Sequence, residues 1–246
     1  MVAYQDFVVL SRSGSSEERG RAAHLAAQAY LLHDGPADEH AALYAALIGF
    51  LDDPSVRVRG ALAYGLLHAA DAPRPILLAL LQDGEVIARA VAQYSPALID
   101  ADLIPLARSA TPTMLHALVL REQISARLAD ALIRRNVPAV TLAVLRRSDV
   151  PVPAELLAEL AAQRGIGDAE FRGALLDRDD LPAAARLTLV EASVAALREA
   201  RVVKGAVAPI RLGRLLRDAM DNALTVIGEG EALEGGTPFA SDLVAR

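Results

Sequence analysis

The chain repeats a short segment of its own sequence after 30 residues. The two copies carry the same residue type at three equivalent pairs: Asp53 and Asp83, Val56 and Val86, and Arg59 and Arg89. Weaker copies continue the series in steps of 28, 26 and 31 residues, at Met114, Val140 and Phe171. A second apolar helical pattern follows the first in each copy. A period near 30 residues with two helices per unit is typical of a helical solenoid, because one hairpin cannot bury its apolar side alone.

The segments before and between these copies also favour helices. Ser15 and Glu18 have the spacing of a capping box, which predicts a helix that runs from there to the breakers Gly35-Pro36. A second helix is expected over residues 38–51. The nearest approach to a strand is residues 150–153, whose two prolines exclude a central strand. The sequence therefore predicts an all-α chain of about twelve helices in pairs.

Two families share these motifs. Residues 53–66, with Asp-Pro at the turn and Val58-Arg59 in the helix, resemble a HEAT repeat. More specifically, the chain from about Ser15 to Arg201 resembles a bacterial family known as domain of unknown function 2336. The motifs that carry this second resemblance are residues 53–59, 72–80 and 175–183. The resemblance implies a HEAT-like, armadillo-like α-solenoid, and it brings no established activity or functional residue.

The C-terminal part departs from the repeat, which predicts two regions. Residues 1–205 form the HEAT-like repeat domain, and residues 206–246 form a capping or dimerisation helix with a flexible acidic tail. The helix is expected over residues 209–227, and the tail from Gly228. Its predicted apolar face consists of Leu212, Leu215, Leu216, Ala219, Met220 and Ala223.

The charge and cysteine content exclude several classes of protein. A net charge of −6 and a pI near 5.4 argue against a general nucleic-acid binder, which needs excess Lys and Arg. The absence of cysteine excludes disulfides, thiolate nucleophiles and Cys-based metal sites. The N-terminus lacks a signal-peptide pattern, and no apolar run approaches the length of a membrane span. We expect a cytoplasmic protein.

No catalytic motif is present. None of the five histidines belongs to a His-Glu-x-x-His pair, and the chain has no Gly-x-Ser-x-Gly elbow and no P-loop. The acidic runs at residues 52–53 and 177–180 lie at turns before helices, where carboxylates cap helix N-termini. We therefore expect no enzyme activity, no cofactor and no metal.

Arginines are the candidate partner-binding residues. Equivalent positions of stacked repeats form ladders, which for arginines suits an acidic peptide or phosphates. A structural role is the alternative, since Arg59 and Arg89 have Asp53 and Asp83 as possible partners at the turns. The candidate residues are Arg57, Arg59, Arg89, Arg121, Arg134 and Arg135.

The sequence thus favours a non-catalytic scaffold or adaptor that binds a protein or peptide on the surface of a solenoid. Two alternatives stay open: a nucleic-acid-binding or DNA-glycosylase-like HEAT protein, and a small-molecule or lyase role in the solenoid groove. Nucleic acid is the less favoured partner because of the charge. A homodimer through the C-terminal helix is a further expectation.

Overall fold

The computed structural model describes the backbone of residues 10–233 and the side chains of residues 10–228. This part of the chain is all-α, as predicted, with fourteen α-helices and no strand. Most of the predicted acidic tail lies outside the described residues. Among the described helices, none has both the length and the apolarity that crossing a membrane requires.

The chain divides into two compact units between Val140 and Thr141. The helices that lie wholly in unit 1 are α1 Ser16–Leu31, α2 Ala37–Leu51, α3 Val56–Leu66, α4 Arg74–Leu80, α5 Glu85–Tyr94, α6 Asp100–Ser109, α7 Pro112–Val119 and α8 Ala126–Ile133. Helix α9, Pro138–Leu145, contains the boundary. The helices of unit 2 are α10 Ala154–Leu160, α11 Ala169–Leu176, α12 Ala183–Glu199, α13 Arg201–Ala206 and α14 Pro209–Leu233.

Alternate helices of unit 1 pack against each other. Helix α1 contacts α3, α3 contacts α5 and α5 contacts α7, while α2 contacts α4 and α6 contacts α8. Each helix buries one apolar face, as α5 does with Ile87, Ala88, Val91 and Ala92. This spacing of three and four residues is the one that the sequence predicts.

Small residues let α1 and α3 approach closely. A Cβ atom added to Gly65 of α3 would lie 2.6 Å from the Cβ of Ala27 on α1, which is closer than two such atoms come. Gly20 of α1 likewise faces Ala61 of α3, at 3.6 Å from an added Cβ. The glycine at position 65 therefore fixes how closely these two helices pack.

Unit 2 is interrupted by a π-helical turn at Ala161–Gly165, directly after α10. The turn packs against α11 and α12, and an added Cβ on Gly165 would lie only 2.4 Å from Leu189 Cδ2 of α12. Helix α12 also contacts α10, α11, α13 and α14. The C-terminal helix α14 thus packs on α12, which lies before the boundary predicted near residue 205.

Two local predictions were wrong. The predicted capping box does not form: Ser15 is the N-cap residue of α1, but its side chain makes no capping hydrogen bond. Ser13 takes over this local role, since its hydroxyl bonds the Glu18 carboxylate and accepts from the Ser15 N–H at 3.0 Å. The last helix continues beyond the predicted end at residue 227, to Leu233, although the added turn contains Gly228 and Gly230, which disfavour a helix.

Candidate functional site

Arginines in the first turns of α1 and α3 bind the acidic turn that precedes the next helix but one. Arg59 donates to both carboxylate oxygens of Asp83, at 2.6 and 2.9 Å, and to the Asp53 carbonyl oxygen at 2.7 Å. Arg19 binds the Asp53 carboxylate in the same way, at 2.7 and 3.2 Å. These hydrogen bonds are the largest cause of the lowered pKa of each carboxyl group. Both aspartates are therefore ionised braces between neighbouring helix pairs.

The same aspartates also accept hydrogen bonds from backbone N–H groups of their own turns. Asp53 accepts from the Ser55 N–H at 2.8 Å, and Asp83 accepts from the Gly84 N–H at 2.6 Å. Asp180 is different, since it pairs with Arg178 at 2.6 Å. The predicted capping was wrong for Asp53, because the N-cap residue of α3 is Ser55 and no side chain caps that helix.

Arg121 is buried at the end of α7, with 6% of its surface exposed. Its guanidinium donates to the carbonyl oxygens of Ala92 and Ser95, the latter at 2.8 Å, at the C-terminal end of α5. The last carbonyl groups of a helix lack partners within that helix, so a cation suits this position. Burial lowers the Arg121 pKa, which the Asp100 carboxylate partly offsets.

The same arrangement recurs at later helices. Arg135 follows α8 and donates to the carbonyl oxygens of Arg108 and Ala110 at the end of α6, the latter at 3.1 Å. In unit 2, Arg178 follows α11 and is 2% exposed. It donates at 2.8 to 3.3 Å to the carbonyl oxygens of Leu145, Arg147 and Val150. The structural role that the sequence left open is thus the observed one for Arg59, Arg121 and Arg135.

The other three candidate arginines are exposed. Arg134 pairs with Asp130 of its own helix at 2.8 Å. No hydrogen bond or ion pair joins Arg57 or Arg89 to the residues that the structure describes. Arg89 is equivalent to Arg59, but the position equivalent to Asp83 in the next copy is Thr111, which caps α7 and has no charge. Arg57 and Arg89 therefore remain available to a partner.

Exposed rings accompany Arg57, and the sequence analysis missed them. Tyr64 lies on the same side of α3 as Arg57, with 69% of its surface exposed, and His68 is an exposed residue just after the end of α3. The rings of His24 and Tyr64 lie 5.6 Å apart, as do those of His68 and Tyr94. Tyr64 and Tyr94 are 30 residues apart in the repeat, which is the signal that identifies them. We call this surface the α1/α3/α5 face, defined by Arg21, His24, Arg57, Tyr64, His68 and Tyr94.

An open cleft of about 760 Å³ lies between α1 and α3 on this face. Its lining residues are Glu17, Gly20, Arg21, His24, Leu25, Arg57 and Ala61. Glu17 is its one acidic residue, and it already pairs with Arg21 at 2.7 Å. The cleft is thus lined by small and apolar residues and by Arg57, which has no carboxylate partner among the described residues.

A second, more enclosed pocket of about 430 Å³ lies beside the turns that follow α5 and α7. Two of its polar groups already hold structural bonds: Arg121 binds carbonyl oxygens, and Asp100 accepts from the Ser125 hydroxyl at 2.8 and 2.9 Å. Within the described residues, no group of three or more His, Asp or Glu side chains has an arrangement that could hold a metal ion. Arg121 and Asp100, two polar groups of this pocket, are therefore already engaged within the chain.

The C-terminal helix buries Leu216 and Ile227 but leaves Leu215 and Val226 more than half exposed. Part of its predicted apolar face is therefore used within unit 2, where it packs on α12. Its role as a cap or dimer contact stays a prediction.

Comparison with known proteins places the chain in a family. No curated protein and no solved structure matches the chain. The profile of a family described as "uncharacterised protein conserved in bacteria (DUF2336)" matches residues 87–238. The match includes the motif at residues 175–183 and the C-terminal helix, whereas the motifs at 53–59 and 72–80 precede it. It covers more than half of the chain and confirms the resemblance that the sequence suggested, so the chain belongs to the DUF2336 family.

Proposed function

We propose that this chain is a non-catalytic scaffold that binds a partner protein on the surface of stacked, HEAT-like helix pairs. The observation that carries the proposal is the α1/α3/α5 face. There Tyr64 and Tyr94 are about half exposed or more, at 69% and 49%, and Arg57 lies on the same side of α3 as Tyr64. Tyr and Arg are the residues most enriched at the energetic centres of protein interfaces.

The repeated bracing supports the solenoid part of the proposal. The bonds from Arg19 to Asp53, from Arg59 to Asp83 and from Arg121 to Ser95 join residues 34, 24 and 26 positions apart. Each separation is close to one repeat, so each bond links one helix pair to the next. Such nearest-neighbour contacts are how a solenoid is stabilised.

The electrostatics favour a scaffold over an enzyme. Asp53, Asp83 and Asp149 have lowered pKa values because each accepts hydrogen bonds from an arginine. Shifts of this kind keep carboxylates ionised as structural anions, whereas a general acid needs a raised pKa. We propose a cytoplasmic location, in keeping with a chain that contains no cysteine.

Site-specific photo-crosslinking in the cells that produce the protein tests this function. A benzophenone amino acid replaces Tyr64 on the α1/α3/α5 face or, as a control, Leu78 on α4, which is 37% exposed. We expect a discrete protein adduct from position 64 and none from position 78. Adducts at neither position, or the same adducts at both, would contradict a partner on this face.

A further inference from the structure

The cleft between α1 and α3 has features that select one kind of partner segment. Gly20 and Ala61 form its floor, where the two helices come close together, and Leu25 adds an apolar side chain. A floor of this kind accommodates an aliphatic side chain of a partner, because burial of each methylene group contributes about 0.8 kcal/mol.

The charges in the cleft favour an acidic ligand. Glu17 and Arg21 neutralise each other in an exposed i, i+4 pair at 2.7 Å. Arg57, which also lines the cleft, has no carboxylate partner among the described residues. A guanidinium binds a carboxylate through two parallel hydrogen bonds, which gives both strength and geometric selectivity.

We propose that this cleft binds a short acidic segment of a partner protein, with an aliphatic side chain on the Gly20–Ala61 floor and a carboxylate on Arg57. The inference rests on the proposed scaffold function and names its partner chemistry. Tyr64 follows Arg57 on the same side of α3, seven residues on, and His68 comes just after the end of that helix at Leu66. The segment extends along α3 and contacts them next.

A peptide is a better match than a nucleic acid. Nucleic-acid binding is driven by many cation–phosphate contacts and the release of counterions. The cleft offers one guanidinium without an internal partner beside an apolar floor, in a chain of net charge −6. An aliphatic floor has no counterpart in a sugar–phosphate backbone.

The test selects peptides against the full chain from a library of random 12-residue peptides and measures their affinity by fluorescence anisotropy. We expect enrichment of peptides that carry Asp or Glu within one helical turn of Leu, Ile or Val. The substitution Arg57→Glu is expected to weaken their binding at least about tenfold, as loss of a charge-assisted interface pair does. Replacement of the peptide's acidic residue by its amide should weaken binding to a similar extent.

The matched control is Arg127→Glu on α8, an exposed arginine outside the cleft. It is expected to change the affinity less than about twofold, in line with the small effect of charges remote from an interface. Because Arg57 makes no hydrogen bond or ion pair with the described residues, both variants should unfold at the temperature of the unmodified chain. This check separates lost binding from lost folding.

The outcomes separate this inference from the scaffold function. Peptides that bind the Arg57→Glu variant equally well, or enriched peptides without acidic residues, overturn the acidic cleft and leave the scaffold standing. If no peptide is enriched, the cleft proposal is overturned. If, in addition, no protein adduct forms at position 64, the scaffold function is overturned as well. Salt-sensitive binding of a duplex DNA or RNA oligonucleotide that displaces the peptide overturns the inference in favour of a nucleic-acid partner.

Discussion

Arginines with similar sequence surroundings have different roles in this chain. The role of each depends on which residue occupies the partner position in the next repeat. Arg59 meets a carboxylate at Asp83, whereas the equivalent partner position for Arg89 is Thr111. Arg121 meets helix-terminal carbonyl groups instead of a carboxylate. The sequence showed which arginines recur, but the partner of each depends on which turn the packing brings to it.

The brace between Arg59 and Asp83 should contribute measurably to stability. We expect Asp83→Asn to lower the free energy of unfolding by about 1–2 kcal/mol, because the charge-assisted bonds to Arg59 are lost. Urea unfolding followed by circular dichroism measures this. The control is Asp71→Asn, at an exposed turn residue, which should stay within about 0.5 kcal/mol of the unmodified chain. Equal effects of the two substitutions would show that the brace is not stabilising.

The braced carboxylates also predict a response to acid. The pKa values of Asp53 and Asp83 are lowered by arginine hydrogen bonds; burial raises that of Asp102, but the bonds from Arg74 and the Ile99 N–H lower it overall. A folded-state pKa below the unfolded value of about 3.9 gives stability that is present above that pH and lost as pH falls through the folded value. We therefore expect stability to fall steeply below about pH 4.

Substitution of the three aspartates together tests the source of this acid response. A variant with Asp53, Asp83 and Asp102 each changed to Asn should be less stable at pH 7 and should depend less on pH between 4 and 2. Urea midpoints measured across this range decide the question. An unchanged slope in the variant would assign the acid response to other carboxylates.

Arg121 is expected to be the most costly of the candidate arginines to replace. Arg121→Met leaves the Ala92 and Ser95 carbonyl groups without their donor in a buried site, at a cost of about 2–4 kcal/mol. Hydrogen exchange should rise most at the C-terminal end of α5. The exposed Arg89→Met serves as the control, and similar losses for both would contradict the capping role of Arg121.

At the scale of helices, periodicity alone located most of the elements. The helices predicted near Ser15, over residues 38–51 and near Met114 are present. Apolar residues three and four positions apart lie on one face of a helix, which can be buried against a neighbouring helix. Local capping was less predictable, since Ser13 competes with Ser15 for Glu18. The π-helical turn at Ala161–Gly165 has no sequence signature and follows from how α12 packs on it.

Residues of the candidate site were predictable only where the repeat marked them. Arg57 and Arg89 were named from the sequence, and the equivalence of Tyr64 and Tyr94 was open to the same reasoning. The role of Arg178 was not, since its three carbonyl partners lie 28 to 33 residues earlier in chain segments without any distinctive residue type. Every residue has a backbone carbonyl group, so the sequence does not show which of them accept these hydrogen bonds.

The close packing of α1 and α3 gives a test at this scale. Gly65→Ala places a methyl group 2.6 Å from Ala27 Cβ, which should destabilise the chain by about 1–3 kcal/mol. The same substitution at Gly173 of α11 has no atom within 4 Å. It should stabilise the chain by about 0.5–1 kcal/mol through helix propensity. Thermal unfolding of both variants measures the contrast, and a stabilising Gly65→Ala would contradict the close approach.

At the scale of the whole molecule, the proposal depends on helix pairs that occupy equivalent positions. Within unit 1, alternate helices contact each other, and the arginine braces recur with them. In a stack of this kind each helix pair contacts only its neighbours. One whole pair can therefore be deleted, and the pairs on either side can then pack against each other. A closed arrangement of helices would lose its core by the same change.

Deletion of residues 53–82 tests this claim most directly, because Asp83 then takes the place of Asp53 directly after Asp52. We predict that this shortened chain keeps its helical circular dichroism and unfolds cooperatively, with Asp83 as the new partner of Arg19. Deletion of residues 53–67, which removes α3 alone, should abolish cooperative unfolding. If the in-register deletion abolished helical circular dichroism and cooperative unfolding as the control deletion does, that result would contradict the stacked repeat.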